Sequence, residues 1–154
     1  SLMRIMNQLR LSCALFVAIF APADTWAQTI EWQWTSLYRP GRSEINVING
    51  VTDRVQVGYV RGNADSEAVA SLWRGTADSW TDLRPPNQFT SYAFGAGGDQ
   101  QVGEVSNVGA ALWRGAAESL VSLGPGIAYA TDGFTQVGVA NGLHAVLWQG
   151  SQES

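Results

Sequence analysis

The chain has 154 residues, with 9 Lys plus Arg against 13 Asp plus Glu, so its formal net charge is −4. The charged residues are scattered along the sequence, and acidic ones outnumber basic ones. Nucleic acids and anionic membrane surfaces, in contrast, both bind clustered positive charge. The composition therefore argues against either partner. It also includes seven tryptophans and a single cysteine, Cys13.

The N-terminal residues predict export. Arg4 and Arg10 precede an apolar run over residues 11–21, which is about as long as a signal-peptide core and too short to span a bilayer. A small-residue cleavage site follows at Thr25-Trp26-Ala27. We therefore predict that residues 1–27 are a signal peptide removed on export, and that the mature protein is periplasmic, secreted or held at the cell surface. A buried helix is the alternative interpretation of the run.

The predicted mature chain, residues 28–154, contains no cysteine, because Cys13 lies within the predicted signal peptide. Neither a disulfide framework nor a thiolate metal site is then expected. No membrane span is expected after residue 27. Stability would have to come from packing and from sheet pairing.

The mature region repeats itself. Gln-Val-Gly occurs at residues 56–58, 101–103 and 136–138, and each copy is followed by Leu-Trp, a Gly two positions later and a Ser four positions beyond that. Such self-similarity indicates an array of similar supersecondary units. The structural repeat positions are Gln56, Val57, Gly58, Leu72, Trp73, Gln101, Val102, Gly103, Leu112, Trp113, Gln136, Val137, Gly138, Leu147 and Trp148.

Each unit contains four short apolar segments separated by clusters of Gly, Asn or Asp, and none shows a sustained 3.6-residue period. The pattern predicts an all-β fold of repeated four-stranded antiparallel units, β-propeller-like, in an incomplete or open array with very little helix. The units are expected at about residues 41–85, 86–125 and 126–154. Five extra residues in the first unit, 61–65, are expected to form a surface loop.

The fourth segment of the unit has an extra copy near the mature N-terminus. Trp34-Thr35-Ser36-Leu37 matches Trp80-Thr81-Asp82-Leu83, so a strand at residues 32–40 is expected to belong to a preceding unit or to close the last one. Two interpretations remain open. The array closes into a ring through this strand, or the chain is a fragment of a longer array, which the roughly four to eight blades of known propellers favour.

Adjacent Leu and Trp side chains point to opposite faces of a strand. Since both are large and apolar, both faces of each sheet are predicted to be buried between neighbouring sheets. The Gly after Val is predicted to face a bulge or a closely approaching backbone.

The third copy, His144-Ala145-Val146-Leu147-Trp148, resembles the bacterial extracellular HAF repeat, whose core is His-Ala-Phe-Leu-Trp followed by Gly and an Asp-Leu-Gly-type segment. Val146 replaces the Phe, and the other two copies lack the His, whereas Asp82-Leu83 matches the later element. The resemblance covers nearly all of residues 31–154. It implies a propeller-like repeat architecture in an exported bacterial protein, and no catalytic residues carry over from it.

No catalytic, cofactor-binding or metal-binding residue is predicted. His144 is the only histidine, and packing or turn bonding explains it better than catalysis or zinc binding. Asp53, Asp99 and Asp132 precede the Gln-Val-Gly copies, where side-chain bonds to the backbone of a turn explain them. Calcium remains an alternative, although it needs about six to eight oxygens around one ion.

Trp32 and Trp80 are the candidates for ligand stacking, because aromatic side chains on a sheet surface can stack on sugar rings. Core packing is the competing interpretation for both. The sequence thus predicts a non-catalytic extracellular scaffold that binds a glycan or a protein. The alternative is a glycan-active hydrolase or lyase, with acids gathered at the mouth of a propeller.

Overall fold

The computed structural model describes four stretches of the chain, residues 31–38, 45–62, 67–140 and 143–149. The chain divides into two units, Ser1–Gln33 and Trp34–Ser154, and every described strand lies in the second. The described residues contain no α-helix and two short 3-10 turns, Ala77–Ser79 and Ala117–Ser119. None of these elements could cross a membrane as a helix. The predicted signal peptide lies outside the described residues.

The described strands form three antiparallel sheets, and in each sheet strands adjacent in sequence are hydrogen-bonded neighbours. Sheet 1 contains β1 (Ile45–Val51), β2 (Gln56–Arg61), β3 (Ala68–Trp73) and β4 (Thr81–Asp82). Sheet 2 contains β5 (Ser91–Gly97), β6 (Gln100–Val105), β7 (Gly109–Trp113) and β8 (Val121–Gly124). Sheet 3 contains β9 (Ile127–Thr131), β10 (Thr135–Ala140) and β11 (His144–Gln149). The all-β class is confirmed, and the described residues form neither a closed barrel nor a closed propeller.

The predicted N-terminal strand is not formed where the structure describes it. Residues 31–38 adopt no strand, and no described strand pairs with them. A strand needs a neighbouring backbone to satisfy its N–H and C=O groups, and no described strand supplies one here. Trp34 is accordingly 88% exposed. Residues 39 and 40 of the predicted strand lie outside the described residues.

The Gly of each Gln-Val-Gly faces a β-bulge in the preceding strand. The extra, unpaired residue of the bulge is Asn49 in β1, Phe94 in β5 and Tyr129 in β9. A Cβ added at Gly103 would overlap the carbonyl oxygen of Tyr92, and the same overlap occurs at the equivalent glycines of the other two sheets. Glycine is therefore required at this position because the neighbouring backbone occupies the side-chain space.

The Gln of the repeat closes the turn that follows the Leu-Trp strand. The Gln56 Oε1 accepts a hydrogen bond from the N–H of Gly75 at 2.8 Å, and the Gln101 Oε1 accepts one from Gly115 at 2.6 Å. The repeat therefore links β2 to the end of β3, and β6 to the end of β7, through one side chain each.

The Ser of the repeat is the last residue of the 3-10 turn and links this turn to the end of the Leu-Trp strand. The Ser79 Oγ accepts from the N–H of Arg74 at 2.7 Å and donates to the carbonyl of Thr76 at 2.6 Å. Ser119 makes the same pair of bonds with Arg114 and Ala116 at the same distances. These contacts turn the chain towards the fourth strand.

Sheets 1 and 2 pack on each other, and the two sheets use opposite faces of their equivalent strands. The face of sheet 1 that carries Val57 and Leu72 shares one core with the face of sheet 2 that carries Trp113. Trp113 is fully buried. A buried tryptophan removes on the order of 200 Å² from water, which is worth about 5 kcal/mol at roughly 25 cal/mol per Å² before conformational entropy is subtracted.

The other face of sheet 2, with Val102 and Leu112, packs on sheet 3 near Ala128 and Trp148. The prediction that both faces of every sheet are buried is wrong for sheet 3. Leu147 is 59% exposed and Trp148 is only partly buried. The reason is that no described sheet lies against the Leu147 face, whereas sheets 2 and 3 cover the equivalent faces of sheets 1 and 2.

Replacing Gly103 by Ala is expected to lower the free energy of unfolding by about 3 kcal/mol or more, because the new methyl group meets fixed backbone. Gly75 is the control, since its φ of +80° disfavours Ala but nothing lies within 4 Å of the added Cβ. The control substitution should cost about 1 kcal/mol. Urea unfolding followed by tryptophan fluorescence measures both values, and equal losses would contradict the close-approach explanation.

Candidate aromatic binding surface

Four aromatic side chains form a row that crosses all three sheets, and we call them the aromatic row: Tyr59, Tyr92, Phe94 and Tyr129. The ring centroids of Tyr59 and Tyr92 lie 5.0 Å apart in an edge-to-face contact. Tyr92 and Phe94 stack at 5.9 Å with an interplanar angle of 11°, and Phe94 meets Tyr129 at 5.7 Å. These separations are in the range of favourable aromatic pairs.

The bulges place two members of the row. Phe94 and Tyr129 are the extra residues of the bulges in β5 and β9, and Phe94 stacks on Tyr92, two residues earlier in the same strand. Each reaches towards the ring in the neighbouring sheet. The equivalent residue of sheet 1 is Asn49, whose Nδ2 donates to the carbonyl of Ala93 at 2.9 Å. The bulge residue of each of the first two sheets therefore contacts the next sheet.

Two charged groups flank the row. A terminal nitrogen of Arg61 donates to the hydroxyl of Tyr92 at 3.1 Å, and Glu104 lies directly across from Tyr92 in the register of β5 and β6. Burial raises the pKa of the Glu104 carboxyl above its ordinary value, because desolvation disfavours the charged form. The row therefore combines ring faces and tyrosine hydroxyls with one positive group and one acidic group.

The row is partly open to solvent. Tyr59, Tyr92 and Phe94 are half-buried, and Tyr129, at the end of the row, is 46% exposed. Packing against one another fixes the rings, so little rotamer freedom remains to be lost when a ligand binds. A rigid, half-exposed set of rings with polar edges can stack on a flat apolar ligand face and bond its rim.

The structure gives different surroundings to the two tryptophans predicted to stack on a ligand. Trp80 is half-buried, and its indole N–H donates to the Ser71 hydroxyl at 2.9 Å. This hydrogen bond holds the indole ring against β3 of sheet 1. Trp32 is 90% exposed. Neither belongs to the aromatic row.

His144 is the first residue of β11, opposite Ala140, and its side chain is exposed. Among the described residues no sheet covers this side chain, and a role of His144 in turn bonding stays a prediction. Most residues at the repeat positions make the sheet contacts described above, and Gln136 instead donates from its side-chain amide to the Gln100 Oε1 at 2.7 Å.

Of the three acids before Gln-Val-Gly, Asp132 bonds the backbone of its turn, whereas Asp53 and Asp99 pair with arginines. The Asp132 Oδ1 accepts from the N–H groups of Phe134 and Thr135, both at 2.8 Å, and the bonds from Thr135 and then Phe134 lower the pKa of this exposed carboxyl. Asp99 forms an ion pair with Arg114 at 3.5 Å. Among the residues that the structure describes, no three His, Cys, Asp or Glu side chains are grouped so that they could hold a metal ion.

Apart from the aromatic row, the surface has a depression that we call the acidic cleft. It lies where sheet 1 meets the second 3-10 turn and has a volume of about 640 Å³. Its lining includes Glu67, Asp82, Glu118 and the exposed ring of Phe89. Arg84 pairs with Glu67 at 3.2 Å, and its backbone N–H donates to the Asp82 Oδ1 at 2.7 Å. Two of the three acids are thus engaged by one arginine residue.

The aromatic row is not evident in the sequence because its four members do not share one repeat position. Tyr59 lies on a second strand and Tyr92 on a first strand, while Phe94 and Tyr129 are bulge residues. The one available signal is the alternation Ser91-Tyr92-Ala93-Phe94, with an aromatic at every second position.

Comparisons with protein-family models, curated protein sequences and solved structures find no match for this chain.

The raised pKa of Glu104 leads to a pH prediction. Between the ordinary carboxyl pKa and the raised folded-state pKa, the native state binds more protons than the unfolded state, so stability falls as pH rises through this window. Glu104→Gln should therefore be more stable than the wild type at neutral pH, and the two should converge in acid below the ordinary pKa. Urea titrations at several pH values measure the difference, and a gap that does not change with pH would contradict the assignment.

Proposed function

We propose that this protein is an exported, non-catalytic β-repeat scaffold that binds a glycan along the aromatic row. The observation that carries the proposal is the row itself, from Tyr59 to Tyr129, because it connects side chains of all three sheets into one half-exposed surface. The residues at the repeat positions form the sheets and turns, whereas the residues of the aromatic row lie outside the repeat positions.

The chemistry of the row favours a sugar. A pyranose ring has an apolar C–H face and a polar hydroxyl rim, and the row offers ring faces beside the hydroxyls of Tyr59, Tyr92 and Tyr129. Aromatic side chains commonly supply rigid contact area with a polar edge at binding surfaces. Arg61 and Glu104 contribute one potential donor and one acidic group next to Tyr92, which suits a neutral glycan better than a highly charged one.

Export is supported by the sequence alone. The basic residues, the apolar run and the small-residue exit of residues 1–27 are typical of a signal peptide. The resemblance of residues 136–150 to the HAF repeat agrees with an extracellular bacterial scaffold of propeller-like units. The three stacked sheets are compatible with that architecture and would present an extended surface to a polymer.

Glycan binding is tested by shortening the most exposed ring of the row. Tyr129→Ala is expected to weaken the affinity for a bound glycan by about tenfold, through loss of one stacking contact. Phe134→Ala is the matched control, because Phe134 is 84% exposed in the next turn of the same sheet and lies outside the row. A glycan array on residues 28–154 identifies the ligand, and calorimetry gives the affinities. Equal effects of the two substitutions, or no bound glycan at high protein concentration, would exclude the proposal.

The acidic cleft supports a second candidate function, a glycan-active hydrolase or lyase. Three carboxylates line it, and glycosidases use a pair of carboxylates about 5 to 9.5 Å apart. Release of reducing ends from the glycans that bind, lost in both Asp82→Asn and Glu118→Gln but retained in Tyr129→Phe, would favour the enzyme. Binding without any release would leave the scaffold as the only candidate.

A further inference from the structure

The bulge of sheet 1 differs in its chemistry from the bulges of the other two sheets. Its extra residue is Asn49, and Gly50 follows it. The equivalent residues of sheets 2 and 3 are aromatic, Phe94 and Tyr129. An asparagine side chain can react with the backbone nitrogen of the next residue, and glycine favours this reaction because it has no side chain to shield that nitrogen. A reactive dipeptide therefore lies where sheet 1 contacts sheet 2.

The position of Asn49 in β1 leaves it accessible. The register of β1 and β2 passes from Ile48 to Gly50, so Asn49 has no residue opposite it. The residue is exposed, and among the described strands β1 pairs with β2 alone. An unpaired residue in a strand that is held on one side opens locally at a lower free-energy cost than a residue in a central strand. We propose that Asn49 is a site of spontaneous deamidation, and that the reaction breaks a contact between sheets 1 and 2.

The reaction needs only the chain and water. The backbone nitrogen of Gly50 gives up its proton and attacks the side-chain Cγ of Asn49, while the amide nitrogen takes up a proton and leaves as ammonia. The product is a cyclic succinimide that joins the two residues. Water then adds to either carbonyl carbon of the ring and opens it, giving aspartate or isoaspartate. Overall, water is consumed, ammonia is released, and a carboxyl group replaces the amide without any oxidant, metal ion or enzyme.

Loss of the amide removes a donor that connects the two sheets. The Nδ2 of Asn49 donates to the carbonyl of Ala93 in β5 at 2.9 Å. An ionised carboxyl group has no proton to donate, so its oxygen would face the Ala93 carbonyl oxygen without a hydrogen bond. Two acceptors that face each other repel, and the carbonyl loses this partner. The aspartate product is therefore expected to separate β1 from β5 at the bulge.

The isoaspartate product disturbs the same contact through the backbone. Isoaspartate routes the chain through the side-chain carbon and so adds a backbone carbon between Asn49 and Gly50. Space here is limited, because a Cβ added at Gly50 would lie 3.1 Å from the Gly95 Cα and 3.1 Å from the Phe94 carbonyl oxygen. A shift of Gly50 in that direction would press on the bulge of β5, which carries Phe94 of the aromatic row. Deamidation is thus expected to change the surface beside the row as well as the sheet contact.

Peptide mapping of the full-length wild-type chain measures the reaction directly. The folded protein is incubated in warm, mildly alkaline buffer, in which the backbone nitrogen loses its proton more readily, and its digests are analysed by mass spectrometry. Asn49 should convert at least about tenfold faster than Asn107, a ratio that needs only a small difference in activation free energy. Asn107 is the matched control, since it is exposed in the turn between β6 and β7 and is followed by Val108. The digest has to separate Asn49 from Asn141, which also precedes a glycine and lies outside the described residues.

Substitution by the product tests the consequence. Asn49→Asp is expected to speed amide hydrogen exchange in β5 at least about tenfold, because loss of the contact lowers the free energy of local opening. Asn107→Asp is the control with the same change of charge, and it should leave exchange in β5 unchanged. Exchange is measured at neutral pH, where the new carboxyl group is ionised. The wild-type time course does not depend on the folding of either variant.

Three results would overturn the proposal. One is a folded chain in which Asn49 stays intact while the same residue converts in urea. Another is conversion of Asn49 that is no faster than conversion of Asn107. The third is an Asn49→Asp variant whose exchange in β5 matches that of Asn107→Asp. None of these readouts uses a glycan, so the proposed function can fail separately.

Discussion

The close approach of the first strand to a mid-strand glycine is the constraint on which the structure depends. In each sheet, the carbonyl of the first strand occupies the space that a side chain at Gly58, Gly103 or Gly138 would need. The approach accompanies a bulge that leaves one residue of the first strand unpaired. A bulge bends its strand and redirects a side chain, and here it directs Asn49 and Phe94 into contact with the next sheet.

Close stacking of the sheets follows from this geometry. β5 contacts three strands of sheet 1, and β9 contacts three strands of sheet 2. Gly95, next to the bulge residue Phe94, allows the approach, since a Cβ there would press against the backbone of Tyr129 and Ala130. The residues that recur most regularly are therefore occupied in forming and stacking the sheets. Any ligand surface has to come from residues that the repeat leaves free to vary, and the aromatic row consists of such residues.

The sequence predicts the elements of this fold better than their surroundings. The recurrence of Gln-Val-Gly and Leu-Trp correctly predicts short antiparallel strands and little helix, because both follow from local spacing and turn chemistry. Burial of Trp73 and Trp113 follows from the same pattern. The exposure of Leu147 does not follow from it, because burial depends on the neighbouring sheet and Leu147 occupies the same repeat position as the buried Leu72. The sequence does not predict the aromatic row for a related reason, since its rings meet only when the three sheets stack on one another.

Sheet 3 shows how the same repeat residues have different surroundings where no described sheet covers them. Its open face keeps the Val and Leu of the repeat, with Val137 43% and Leu147 59% exposed. The equivalent residues of sheet 1, Val57 and Leu72, are fully buried, because sheet 2 packs on that face. Burial of a repeat residue is therefore set by the sheet that packs against it and not by the residue itself.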